Sequence, residues 1–158
     1  MPQIIIYTDG AASGNPGRGG YGVVLTCGQY RKELSEGFKL TTNNRMELLA
    51  VIVGLEALKN LGSDVLVYSD SKYVVDAVEK HWLEGWIQKG FKGKKNSDLW
   101  MRFWRIYKRH NVKFNWVKGH DGIALNERCD FLATTAAQSP TNIDTGYENL
   151  QSDNNLAL

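Results

Sequence analysis

Four carboxylates stand where a folding chain gains little from spending a charge. Asp9 closes the run Ile4-Ile5-Ile6-Tyr7-Thr8, and Glu47 sits beside Met46, Leu48 and Leu49. Asp70 follows Val65-Leu66-Val67-Tyr68-Ser69, and Asp130 precedes Phe131 and Leu132. Carboxylates crowded into a partly desolvated cleft repel one another and require protons or cations. Hard divalent cations meet that need. Mg²⁺ suits carboxylates, water and phosphate oxygens better than an all-protein cage, with Mn²⁺ as a substitute. Two such ions about 3.5–4 Å apart can hold the attacking and leaving oxygens of a phosphodiester displacement. Each acid alone reads as a turn or helix cap. The four together, beside a basic aromatic stretch, read as a catalytic metal site.

His120 lies between glycines in Val117-Lys118-Gly119-His120-Asp121-Gly122. An imidazole titrates near working pH, so His120 suits a proton shuttle to the attacking water or the departing 3′-oxygen. Its plain alternative is an exposed loop histidine, which is also the reading of His81 and His110. In Thr41-Thr42-Asn43-Asn44-Arg45, Thr42 caps a helix while Asn43 and Asn44 keep their amides for a phosphate, sugar or base edge. With Asn15, these two asparagines are candidates for contacts to 2′-hydroxyl groups.

Residues 80–109 hold nine of the 19 basic residues and only two acids, Glu84 and Asp98, a local charge of +7. Since the whole chain carries +2, the other 128 residues carry −5. Four of the five tryptophans share that window. Such an asymmetry marks a polyanion-binding surface. Trp82, Trp86 and Phe91 either contact that partner or pin a short helix to the body. Lys89, Lys92, Lys94 and Lys95, interspersed with glycine, read as a solvated phosphate-contacting protrusion.

Five strands and several helices must position these groups. Ile4–Thr8 reads as a strand buried on both faces, Gly14-Asn15-Pro16-Gly17 as a turn, and Tyr21–Thr26 and Tyr30–Phe38 as strands completing an antiparallel meander. A helix from Thr42 to about Leu61 ends at Gly62. Strand Val65–Tyr68, helix Ser71–Glu79, helix Asp98–Arg109 capped by Ser97, strand Val112–Val117 and helix Asn126–Ala137 follow. Antiparallel strands first and strand–helix alternation afterwards give an α/β fold with a mixed sheet flanked by helices. Asp9 and Asp70 fall at carboxyl ends of strands, where such sheets bind ligands. Gly17-Arg18-Gly19-Gly20-Tyr21-Gly22 matches a dinucleotide fingerprint formally but leads into a strand rather than a helix, so it is a hairpin entry.

With 158 residues, 42% hydrophobic and 23% charged, the chain is one globular domain rather than a disordered one. The tail from about residue 139 is acidic and expected to be loosely held. The apolar stretch Leu48–Leu55 is far too short to span a bilayer. The first residues lack the basic start and small-residue cleavage site of a signal peptide, and Cys27 and Cys129 form neither a metal motif nor a disulfide framework. A cytoplasmic monomer is the expectation.

Tyr7-Thr8-Asp9-Gly10, Gly14-Asn15-Pro16-Gly17, Thr41 through Leu48, Ser69-Asp70-Ser71, Trp116 through His120 and Asn126 through Asp130 together resemble the bacterial type 1 ribonucleases H. The resemblance runs from Ile4 to about Tyr147. It implies a ribonuclease H-like fold with a five-stranded sheet, three strands antiparallel and the rest parallel, within a single domain over 1–158. It also implies Mg²⁺-dependent endonucleolytic cleavage of RNA in RNA–DNA hybrids, leaving 5′-phosphate and 3′-hydroxyl ends. Metal binding falls to Asp9, Glu47, Asp70 and Asp130, proton transfer or product release to His120, and the grip on the DNA strand to Trp82–Lys95. Two departures stand out. The stretch between Phe91 and Asn96 is several residues shorter than in the best-known members, with Phe91 where tryptophan is usual. Leu40 replaces a basic residue of the DNA-phosphate pocket, which leaves Thr42 and Asn96 to form it. The rival readings are another nuclease of the same superfold and a non-catalytic nucleic-acid-binding module, which would not need all four acids and His120.

Overall fold

The computed structural model describes residues 3–118 and 123–156. Strands β1 (Ile4–Gly14), β2 (Gly17–Cys27) and β3 (Tyr30–Thr41) form an antiparallel meander. Strand β4 (Asp64–Ser69) runs parallel to β1, and β5 (Asn111–Trp116) parallel to β4, giving the sheet order β3-β2-β1-β4-β5. The helices are α1 (Asn43–Glu56), α2 (Lys72–Glu79), α3 (Trp82–Gln88), α4 (Ser97–Tyr107), α5 (Ala124–Gln138) and α6 (Thr145–Leu156). This is the mixed five-stranded sheet flanked by helices expected from the sequence, three strands antiparallel and the rest parallel.

Helix α1 is apolar nearly all round, which fits a helix covered on more than one side. Met46, Leu48, Ala50, Val51, Ile52 and Leu55 are fully buried, and α4 brings Leu99, Trp100 and Phe103 to the same core. The opposite face of the meander takes α5. There the sheet is lined with glycine: a Cβ on Gly20, Gly22 or Gly37 would lie 2.5, 2.2 or 2.0 Å from the carbonyl oxygens of Ala133, Cys129 and Ala136. Because neighbouring residues alternate across a strand, Tyr21 points to the other side, into the core with α1.

Several boundaries differ from expectation. β1 continues to Gly14, so Asp9 lies within a strand rather than at its end. α1 stops at Glu56; Ala57 and Leu58 still pack against the core, but the chain then turns and Leu61 is exposed. Gly62 is therefore not a helix cap. It takes φ +76° in the turn before β4 and donates its N–H to Arg109 O at 2.8 Å. Asn96, in the left-handed region at φ 66°, rather than Ser97, precedes α4. His110 is buried, its Nδ1 accepting the Ser63 N–H at 3.3 Å, and is not a surface residue.

The first residues after α5 have specific attachments to the sheet and α1. Asn142 extends the sheet edge through Lys39 N to Asn142 O (2.9 Å) and Asn142 N to Gly37 O (3.0 Å). Asp144 is buried and hydrogen-bonded to Thr41 and Arg45. Composition hid this attachment, since its anchors are polar side chains rather than bulky apolar ones.

Candidate active site

Strand register brings the first two acids together. Tyr7 of β1 pairs with Tyr68 of β4 in the parallel ladder, and their rings stack with centroids 4.9 Å apart. Asp9 and Asp70 each follow two residues later. The Thr8 hydroxyl donates to Tyr68 O at 2.8 Å, tying the two strands beside the site. Beyond β4 the chain turns under Ser69, whose hydroxyl accepts the Ser71 N–H at 3.1 Å, and Ser71 caps α2 by accepting from Val74 N. The Trp116 indole N–H donates to Asp70 O at 3.2 Å, so β5 fixes the same turn.

Glu47 arrives from α1 because Gly10 has no side chain. A Cβ there would lie 2.3 Å from Glu47 N and 2.4 Å from the Met46 carbonyl carbon. Asp130 arrives on α5 through a second glycine: Asp9 pairs across the ladder with Gly22, and Gly22 meets the Cys129 carbonyl, one residue from Asp130. The Cys129 thiol donates to Tyr7 O at 3.2 Å on the same side.

Carboxylate oxygens of Asp9, Glu47 and Asp70 all lie within 4.8 Å of one another. They line a cleft of about 350 Å³ with Asn43, Asp130 and the start of α5. Asp9 Oδ1 accepts the Gly10 N–H at 2.8 Å. No donor meets the buried Glu47 Oε2. Burial, reinforced by Asp70 and Asp130, raises the Asp9 carboxyl to about 8. Burial, with Asp9 and Asp70 beside it, holds Glu47 well above the usual carboxylate range. Converging acids of like charge, with the buried Glu47 Oε2 lacking a donor, fit a hard divalent cation, which would supply the missing charge.

His120 lies outside the described residues. Lys118, Ile123, Asn126 and Glu127 also line the cleft, and the sequence reading had not assigned them to the site. Their signal was position: they flank the end of β5 and the first turn of α5, the two elements bracketing His120.

The remaining candidates spread outward from this cleft. Thr42 accepts the Arg45 N–H as the α1 cap. Asn15 Oδ1 accepts the Asn43 N–H at 3.3 Å, which joins the β1–β2 turn to the start of α1, and Asn44 is exposed. Trp86 packs edge-on against Trp100 (5.7 Å) and Phe91 lies against the core, whereas Trp82 is exposed. Lys89, Lys92, Lys94 and Lys95 are all exposed, and among the described residues none forms an ion pair. Lys94 Nζ lies 5.2 Å over the Trp86 ring.

The RNase H family model matches residues 1–138. The chain is 57% identical over 145 residues to the ribonuclease H of Desulforamulus reducens, covering 89% of this chain and 91% of that protein. Among solved structures it resembles LC9-RNase H1, a type 1 RNase H with the type 2 active-site motif. That match has a TM-score of 0.78 and 33% identity, and spans 95% of this chain and 81% of the other. LC11-RNase H1, solved in complex with an RNA/DNA hybrid, matches at TM-score 0.63 and 30% identity over 86% of this chain and 97% of the other. The chain belongs to the ribonuclease H family and is an enzyme of that class. Among the described residues no helix is long and apolar enough to cross a membrane.

Proposed function

We propose that this ribonuclease H cuts the RNA strand of RNA–DNA hybrids endonucleolytically, with two Mg²⁺ ions held by Asp9, Glu47, Asp70 and Asp130. The observation that carries the proposal is the convergence of Asp9, Glu47 and Asp70 within 4.8 Å. When bound, the ions supply Lewis-acid stabilisation of the charge that develops at the scissile phosphate. The chain's own residues do the rest. Asp9, Glu47 and Asp70 set the position of that charge from a strand, a helix and the turn after β4, locked by register and glycine contact. A water attacks phosphorus, the bond to the 3′-oxygen breaks, and His120 delivers a proton to the departing oxygen. The products are a 5′-phosphate and a 3′-hydroxyl. Asn15, Asn43 and Asn44 read 2′-hydroxyl groups on the RNA strand. Thr42 and Asn96 hold a phosphate of the DNA strand, and the Trp82–Lys95 segment grips that strand further along. The hybrid bound by LC11-RNase H1 supports this choice of substrate. The enzyme acts as a cytoplasmic monomer, and Mn²⁺ can replace Mg²⁺.

The test is a cleavage assay on labelled hybrid, duplex RNA and duplex DNA, each with Mg²⁺ and with EDTA. Only the hybrid is cut, only with metal, and the products carry 5′-phosphates. A run of 2′-deoxy positions in the RNA strand blocks cleavage around the run. Equal cutting of duplex DNA, or cutting in EDTA, overturns the proposal.

A further inference from the structure

The network around Arg45 reaches from the C-terminal segment to the hybrid-binding residues. The Arg45 side chain is 2% exposed, and all five of its N–H bonds are used. Nε and Nη2 donate to the two oxygens of Asp144 at 2.7 and 2.9 Å. Nη1 and Nη2 donate to the two oxygens of Asp98 at 2.8 and 2.7 Å. The last N–H, on Nη1, goes to Asn96 Oδ1 at 3.2 Å. A guanidinium with both forks filled has one orientation, and here that orientation sets the Asn96 amide. With Oδ1 turned to Arg45, Nδ2 faces Tyr73 OH at 3.0 Å, and Tyr73 OH also takes the Trp100 indole N–H at 2.8 Å. Asn96 has no side-chain capping bond and a left-handed backbone, so this network is what holds its amide.

Asp144 is the far end of that chain. It accepts the Thr41 hydroxyl at 2.6 Å and the Tyr147 N–H at 3.3 Å, which fixes it between the end of β3 and the start of α6. Gly146 lets the chain pass the pair: a Cβ there would lie 2.1 Å from Asp98 Oδ2 and 2.8 Å from Arg45 Nη2. Without Asp144, Arg45 loses two of five acceptors and keeps as its charge partner Asp98, whose side chain is 47% exposed. A buried guanidinium left in that state turns toward other acceptors or water, and Asn96 Oδ1 is released.

We infer that Asp144 is a positioning residue. Acting through Arg45, it holds the Asn96 amide for the DNA strand and sets affinity for the hybrid rather than turnover. This rests on the proposed role of Asn96 in substrate binding. The test compares Asp144→Asn, Asn96→Ala and the double variant by steady-state kinetics on a hybrid and by hybrid affinity without divalent metal, at 15 °C after melting curves establish folding. Arg45→Lys, which keeps the charge and removes the fork, carries the test if Asp144→Asn does not fold. Asp144→Asn raises KM and Kd about tenfold, the scale of one lost charge-assisted contact, with kcat within twofold. In the double variant the penalty is that of Asn96→Ala alone, since the two act on one contact. Unchanged KM and Kd in folded Asp144→Asn, or Arg45→Lys in its stead, overturn the inference while leaving the Asn96 reading intact. So does a penalty that adds in full to that of Asn96→Ala. Unchanged KM and Kd in Asn96→Ala overturn the reading beneath it, and the inference falls with it.

Discussion

At the scale of single residues, the carboxylate cleft holds more negative charge than the metal-free protein can stabilise. Asp9→Asn and Asp70→Asn are expected to abolish cleavage while leaving the protein folded, and relief of repulsion raises the melting temperature of each variant in EDTA. Activity within a few-fold of wild type in either variant refutes the assignment. The raised Asp9 carboxyl, at about 8, also makes stability depend on pH. Its unfolded counterpart ionises near 4, so the folded state binds the extra proton between these values. The stabilising contribution is complete below about pH 4 and is lost as pH rises toward 8, and the raised Glu47 carboxyl acts in the same direction. In EDTA the melting temperature therefore falls from pH 5 to pH 8, Asp9→Asn flattens the fall, and Mg²⁺ at pH 8 restores stability. A flat profile in wild-type protein excludes this coupling. For His120→Ala the expected loss is roughly 10²–10³-fold in turnover, because water substitutes in part for a proton shuttle. Complete inactivation of the folded variant assigns His120 a different role.

At the scale of elements, two glycines decide where two helices sit. Gly22→Ala places a Cβ 2.2 Å from the Cys129 carbonyl oxygen, so α5 must move away from the sheet and take Asp130 with it. The expected cost is about 1–3 kcal/mol of stability, with turnover down roughly a hundredfold through misplacement of the site. Gly85→Ala is the control. A Cβ there meets nothing within 4 Å, and helix propensity predicts a small gain in stability. Equal melting temperatures and rates for Gly22→Ala and wild type contradict the close-packing argument. The sequence singles out Asp9, Glu47, Asp70 and Asp130 because each stands beside apolar residues near the start of a helix or the end of an apolar run. It does not show how they meet. Gly10 and Gly22 read locally as weak strand residues, and only the approach of α1 and α5 reveals why a side chain is excluded. The extension of β1 past Asp9 was equally hidden, since Gly10-Ala11-Ala12-Ser13 lacks the bulky residues that mark a strand.

At the scale of the whole molecule, an acidic cleft and an exposed basic segment divide the charge between them. Replacing Lys92, Lys94 and Lys95 together by Ala is expected to raise KM and to flatten the dependence of log K on log salt by about two to three units, near 0.9 per phosphate contact. Turnover changes much less. An unchanged salt slope shows that the hybrid is gripped elsewhere. The same division explains what composition could and could not reveal. The basic window was legible as a count of charges, whereas the attachment of the C-terminal segment depends on Thr41, Arg45 and Asp144, which are 99 to 103 residues apart in their pairings and carry no local pattern.

The pairing of Tyr7 with Tyr68, with Asp9 and Asp70 each two residues further on, makes chain length the unforgiving variable here. One residue inserted between Tyr7 and Asp9 turns the carboxylate to the opposite face of the sheet. Two inserted residues restore the face but carry it about 6.6 Å along the strand, beyond the 4.8 Å span of the cluster. Either insertion breaks up the cluster, although every one of its carboxylates is still present. Between Phe91 and Asn96 the chain is instead mostly exposed and Gly93 has open space around it, so segments of different length fit there without disturbing the ladder. Added residues are thus tolerated in different places: the strands that lead to Asp9 and Asp70 accept none, whereas the exposed loop between Phe91 and Asn96 does.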